Sequence, residues 1–296
     1  MDAIVAEGLR KRYRKTVALD GLSFAFPAGR VSGFLGPNGA GKTTTFRSLL
    51  GLTKPDAGSM EVLGMSVRDR LPEVVKRLGA IVEEPGLVKG LSGRDNLVVA
   101  ANTLGRGRER VDDLLEFSGL GSEGGRRIDG YSKGMRQRLA LAASLLGDPE
   151  LLILDEPLDG LDPAGQAQIK DSLRQLAGQG KTVIVSSHNL SDIEAMADHV
   201  VVINKGRLLA AGDLASLLGS FRSGYTVEVD EPERAAAVLS EAGIVAVVED
   251  DLLAVSTDDG AAVARALAMA EIFPREIARR SGRLEELFLS LTESDR

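Results

Sequence analysis

The sequence has 296 residues, 44% of them hydrophobic and 27% charged, an ordinary globular balance with room for one large domain and a small one. Its net charge of −7 points away from a nucleic-acid partner, and the complete absence of cysteine excludes disulfides and thiolate metal sites and suits a reducing compartment. The longest apolar runs, such as Leu139–Leu146, fall far short of the roughly 20 residues of a spanning helix, and the acidic start Met1-Asp2-Ala3-Ile4-Val5-Ala6-Glu7 does not suit a secretory leader.

Ile4–Tyr13 and Leu19–Phe26 read as strands, the second with Leu22, Phe24 and Phe26 alternating with other residues. Pro27-Ala28-Gly29 is a turn, and Arg30–Leu35 is a third strand that runs into a glycine-rich loop. Lys42–Leu50 is then a helix closed by Gly51. Further strands are expected at Gly58–Leu63 and Gly79–Val82. From Leu91 to Gly147 the pattern turns helical, with Ser92 and Asp95 as a capping box and Leu114, Leu115 and Phe117 on a short helix. Leu151–Leu154 is a continuous apolar run, as in a strand buried on both faces. Pro163 opens a helix reaching Leu176, and Thr182–Val185 is another buried strand. Ser191 and Glu194 cap the next helix, and Val200–Ile203 and Arg207–Ala210 make a hairpin around Asn204-Lys205-Gly206.

A new rhythm begins after Gly219. Tyr225–Val229, Ile244–Val248, Leu252–Val255 and Glu271–Ile277 are expected strands, with helices at Glu231–Ala242 and Gly260–Met269. That β-α-β-β-α-β order is the ferredoxin-like split unit. An amphipathic segment, Leu284–Leu291, closes the chain. The expected division is therefore 1–219 and 220–296, with a helical subdomain at about 84–147.

Two motifs carry chemistry. Gly36-Pro37-Asn38-Gly39-Ala40-Gly41-Lys42-Thr43 fits the phosphate-loop pattern and has the right context, a strand before it and a helix after it. Glycines let backbone N–H groups converge on phosphate oxygens, and the helix N-terminus adds partial positive charge. Lys42 would reach the β- and γ-phosphates of a nucleoside triphosphate, Thr43 would ligate Mg²⁺, and Thr44 follows within the same first turn. The second motif, Asp155-Glu156-Pro157, ends the apolar strand Leu151–Leu154, where α/β sheets bind ligands. Taken alone it is equally a solvated strand end. Beside a phosphate loop, Asp155 suits Mg²⁺ and Glu156 suits polarising a water.

Tyr131-Ser132-Lys133-Gly134-Met135-Arg136-Gln137 then gives the sequence its likeness to a family. It resembles the signature loop of ABC ATPases, matching it at Ser132 and Gly134 and departing at Lys133 and Met135. Asp159-Gly160-Leu161-Asp162-Pro163 is similar to that family's D-loop, with Asp162 at the inter-subunit position. Val185-Ser186-Ser187-His188 is similar to its H-loop, where the histidine meets γ-phosphate. Tyr13 falls where the family stacks an aromatic ring on adenine. Each has a plainer reading: Ser132 as an N-cap, His188 as a cap before Ser191, Tyr13 as core. One departure stands out, Glu83 where the family has a Mg²⁺-ligating glutamine; a carboxylate offers only acceptors there.

The resemblance implies an α/β P-loop NTPase, an ABC-type nucleotide-binding domain with a helical subdomain, followed by a small α+β domain. It implies ATP and Mg²⁺ as cofactors and catalysis by Lys42, Glu156 and His188. It implies a homodimer in which Ser132 and Gly134 of one copy cover the nucleotide of the other. The chain would sit on the cytoplasmic membrane face through a separate permease, and Glu83-Glu84-Pro85 and Leu284-Glu285-Glu286-Leu287-Phe288-Leu289 resemble antibiotic-exporter ATPases. Translation-type relatives usually fuse two such domains, and repair-type relatives insert a long coiled coil where about 90 residues separate Lys42 from Ser132 here. An importer ATPase would carry glutamine in place of Glu83.

Overall fold

The computed structural model describes residues 1–82, 86–221, 224–249, 252–280 and 284–293. The chain divides into two compact units, Met1–Asp213 and Leu214–Arg296.

Two sheets build the first unit. β1 (Asp2–Tyr13) and β2 (Thr16–Pro27) form a long antiparallel hairpin, and β3 (Val31–Leu35) follows with every residue buried. The loop after β3 feeds α1 (Lys42–Leu49). β4 (Ala57–Val62) and β5 (Met65–Ser66) return to the hairpin, completing an antiparallel sheet in the order β2-β1-β4-β5. α2 (Leu71–Val75) and β6 (Leu78–Ile81) lead into the helical segment α3 (Gly93–Thr103), α4 (Val111–Phe117) and α5 (Lys133–Ser144). The chain then alternates: β7 (Leu151–Leu154), α6 (Pro163–Gly178), β8 (Thr182–Ser187), α7 (Leu190–Glu194), and the hairpin β9 (His199–Asn204) and β10 (Arg207–Asp213).

The second sheet has the order β10-β9-β3-β8-β7-β6, parallel from β9 to β6 and antiparallel at β10. β7 and β8 are buried along their whole lengths, which is why Leu151–Leu154 and Val183–Val185 are apolar without alternation. Four rings tie the two sheets and α1 together. Phe24 and Phe26 of β2 lie 5.4 and 5.8 Å from Phe34 of β3, which stacks at 5.5 Å on Phe46 of α1. Lys205 and Gly206 both have positive φ, the backbone of a two-residue type I′ hairpin turn.

In the second unit α8 (Leu214–Phe221) precedes β11 (Gly224–Glu228), α9 (Pro232–Glu241), β12 (Val245–Glu249), β13 (Leu252–Ser256), α10 (Gly260–Met269), β14 (Glu276–Arg280) and α11 (Leu284–Glu293). Its antiparallel sheet runs β12-β13-β11-β14. Val227, Leu253 and Val255 of the sheet pack against Leu239 of α9 and Val263 and Leu267 of α10. α8, placed by sequence reading in the first domain, groups with the second unit and packs on α11.

The last strand starts later than the sequence suggests. Ile272 donates to the Leu267 carbonyl and Glu271 to that of Ala268, with Glu271 at φ +57. This is a Schellman stop for α10, with Ile272 folded back as its apolar contact. Residues that look like strand on apolar content are thus a helix terminus.

Candidate active site

The carboxyl ends of β3, β7 and β8 lie side by side, and each delivers one part of a cluster. β3 supplies the loop Gly36–Thr43. Gly41 stands at φ +108, and a Cβ there would sit 2.6 Å from the Ala18 carbonyl; one on Gly36 would sit 2.5 Å from that of Ile203. The loop is therefore a backbone cradle that no larger residue fits at those two positions. Pro37, Asn38, Gly39, Lys42, Thr43 and Thr44 line a cleft that Thr16 and Ala18 of β2 and Glu156 complete. Ala40 faces the interior, 2% exposed, and its carbonyl accepts from Gly206 N at 2.9 Å.

Lys42 is 6% exposed, and its ammonium donates to the Gly36 carbonyl at 2.7 Å. It also lies 3.2 Å from Glu156 Oε1. The other carboxylate oxygen of Glu156 is 2.9 Å from His188 Nδ1 and accepts from the His188 amide at 3.3 Å. An ionised carboxylate only accepts, so the proton of that contact sits on Nδ1 and leaves Nε2 facing away from Glu156. Asp155 accepts from Thr43 Oγ1 at 2.8 Å and from the Ser186 hydroxyl. Ser186 in turn accepts from the Glu156 amide at 2.9 Å. Glu156 has φ +47, a left-handed backbone that costs a non-glycine residue about 1–2 kcal/mol.

The remaining candidates lie apart from this cluster. Ser132 caps α5, accepting from Met135 N at 3.2 Å, and Gly134 lies beside Leu161. Lys133 reaches Asp159 at 3.7 Å, and Asp162 caps α6 by accepting from Gly165 N at 3.3 Å. Among the described residues no hydrogen bond or ion pair joins Ser132, Gly134 or Asp162 to the phosphate loop of the same chain. Tyr13 is 42% exposed, donates to Thr53 at 3.5 Å and has Lys11 over its ring; it does not line the cleft. Glu83 lies outside the described residues.

Comparison with known proteins decides the family. A model described as ABC transporter matches residues 19–159. The daunorubicin resistance ATP-binding protein DrrA3 of Streptomyces coeruleorubidus is 40% identical, over 99% of this chain and 97% of its own length. The chain belongs to the ABC transporter ATP-binding family. The bacitracin transport ATP-binding protein BcrA of Bacillus licheniformis is 43% identical over 68% of this chain and 66% of its own. A solved structure described as the ATP binding subunit of an ABC transporter superposes with a TM-score of 0.67 at 27% identity, covering 74% of this chain and 93% of that one.

As an ABC ATP-binding protein the chain binds ATP, and its donors fit that ligand. The glycine cradle leaves room for phosphate oxygens against backbone amides, and Lys42 supplies one buried cation beside them. A hard divalent ion needs oxygen ligands, and the Thr43 hydroxyl and Asp155 carboxylate lie within 2.8 Å of each other. Among the described residues no three His, Asp or Glu side chains are placed to hold a metal ion together. No described helix is long and apolar enough to cross a membrane.

Ser186 is the site residue that motif reading passed over. The motif Val185-Ser186-Ser187-His188 contains it without giving it a role. Its signal was its place, a serine directly after the apolar run Val183–Val185 of a buried strand.

Proposed function

We propose that this chain is the ATP-hydrolysing subunit of an exporter of drugs, antibiotics or other small hydrophobic molecules or lipids. In this reading it works as a pair of identical chains on a separate membrane permease. The observation that carries it is the meeting of Lys42, Thr43, Asp155, Glu156 and His188 at one end of the parallel sheet, in a chain that aligns almost end to end with a daunorubicin resistance ATP-binding protein.

Each residue has a role its contacts support. The loop amides of residues 36–44 and the Lys42 ammonium hold the triphosphate and neutralise charge as the terminal phosphoryl leaves. Thr43 and Asp155 would hold Mg²⁺, which when bound adds Lewis-acid neutralisation of the phosphate oxygens. Glu156 orients and deprotonates the attacking water, and His188 holds its carboxylate in place from the far side. Ser132, Gly134 and Asp162 reach no phosphate loop within their own chain, which suits groups that act across a dimer on a second copy's nucleotide. Tyr13, at a strand end with an exposed ring, would meet the adenine, and Glu83 is assigned to the metal or to coupling. The C-terminal unit is read as a ferredoxin-like accessory module on the order of its strands.

A groove of about 480 Å³ lies between the edge strand β6 and helices α3 and α5, lined by Ile81, Val82, Leu87, Val99 and Ala143. It is the surface we assign to the permease's cytoplasmic helices. The test is transport of a candidate drug into inside-out vesicles carrying chain and permease. Lys42→Ala should abolish ATP-driven accumulation, and Glu156→Gln should give an ATP-dependent dimer on gel filtration. ATP hydrolysis strictly proportional to protein concentration and indifferent to Ser132→Arg would sink the two-copy reading.

A further inference from the structure

We infer that Ser186 is a positioning residue whose single hydroxyl sets both carboxylates of the site. Ser186 is wholly buried at the end of β8, in register with Phe34 on β3. It donates its hydroxyl proton to Asp155 Oδ1 and accepts the Glu156 amide proton at 2.9 Å. One hydroxyl has one proton to give and lone pairs to receive, so it fixes the two neighbours in opposite senses.

Two other features give those bonds a purpose. Asp155 is held on its second oxygen by Thr43, so its carboxylate is fixed from both sides and cannot turn. Glu156 sits in the left-handed region, and Pro157 after it disfavours the right-handed helical alternative. The chain needs something to hold Glu156 there, and the Ser186 hydroxyl is the group bonded to its amide. His188, two residues further on, holds the same residue by its carboxylate. The end of β8 therefore grips Glu156 at both backbone and side chain, and Asp155 through the same hydroxyl.

This inference rests on the roles proposed above for Asp155 and Glu156. If it holds, removing the hydroxyl leaves phosphate binding intact and harms only what the carboxylates do. Ser186→Ala should lower kcat about 10- to 100-fold, the size of loss expected when reacting groups move by less than an ångström or two. Its KM for ATP should stay within about threefold, since uniform binding is untouched. Fluorescent-ATP binding without Mg²⁺ should match the parent protein, and the tightening that Mg²⁺ adds should shrink. Ser186→Thr, which keeps the hydroxyl, should restore kcat and the Mg²⁺ effect.

The outcomes divide cleanly. A Ser186→Ala protein with parental kcat and parental Mg²⁺ tightening overturns the inference. So does one that loses kcat while keeping the Mg²⁺ effect and gaining nothing from threonine. Should Ser186→Ala also lose Mg²⁺-free nucleotide binding, the hydroxyl is needed for folding, and Ser186→Thr decides alone: parental values support the inference and lost values overturn it. Glu156→Gln run alongside separates the two layers. If that variant hydrolyses ATP at the parental rate, the assignment of the base has failed, and the Mg²⁺ arm still judges Ser186 through Asp155.

Discussion

Glu156 is the residue on which most of the site's contacts converge. Its carboxylate lies between the Lys42 ammonium at 3.2 Å and His188 Nδ1 at 2.9 Å, while its backbone is held left-handed. The other histidine has a different fate. His199 opens β9, its ring meets Phe26 edge-on at 6.1 Å, and its Nδ1 is buried without a hydrogen-bond partner among the described residues. Burial is the main force on its pKa and pushes it below the usual histidine value of 6.5; Asp213 and Asp2 oppose the shift and Arg30 adds to it. The unfolded chain therefore takes up this proton first as pH falls. His199 should cost stability progressively from about pH 6.5 downward until its folded value is reached. Chemical denaturation at pH 7.5 and 5.5 should show a drop that His199→Phe reduces. An equal drop in both proteins would place the pH dependence elsewhere.

At the level of elements, the loop between β3 and α1 works because it is built of groups with no side chain to spare. Gly41 has both a forbidden φ for other residues and the Ala18 carbonyl 2.6 Å from where a Cβ would stand. Gly41→Ala should destabilise the protein by about 1–3 kcal/mol through forced backbone strain. It should also weaken ATP binding, read by thermal denaturation and nucleotide titration together. That loop was legible in sequence, as were the buried strands β7 and β8, because their patterns answer to one local cause: glycine geometry in the first case, burial on both faces in the second. The end of α10 at Met269 was legible, but the late start of β14 at Glu276 was not. Ile272 has strand-like character, yet it serves as the apolar contact of a helix terminus, which only the Glu271 backbone reveals. The pair of hydrogen bonds at the Ser186 hydroxyl was hidden for a related reason. A serine at a strand end is compatible with any neighbour, and which carboxylates flank it depends on sheet order, where β7 pairs with β8 across 27 intervening residues between Leu154 and Thr182.

Across the whole molecule, each of the two units has a core of its own among the described residues. The first unit closes around the Phe24, Phe26, Phe34 and Phe46 rings, and the second around Val227, Leu253 and Leu267. Leu253 is fully buried, so Leu253→Ala should cost the second unit about 2–5 kcal/mol. Calorimetry should show that loss in one transition while ATP binding by the first unit persists; loss of both together would mean the units fold as one. The order of strands has a further consequence for how the protein is made. β3, which carries the phosphate loop, pairs with β8 on one side and β9 on the other, and Gly206 closes over Ala40 from behind. A ribosome that has released residue 45 has made every letter of the loop and the β2 wall at Thr16 and Ala18, but neither of the strands that flank β3. The site cannot take shape until roughly 160 residues more have emerged, which makes it one of the last parts of the first unit to become real during synthesis.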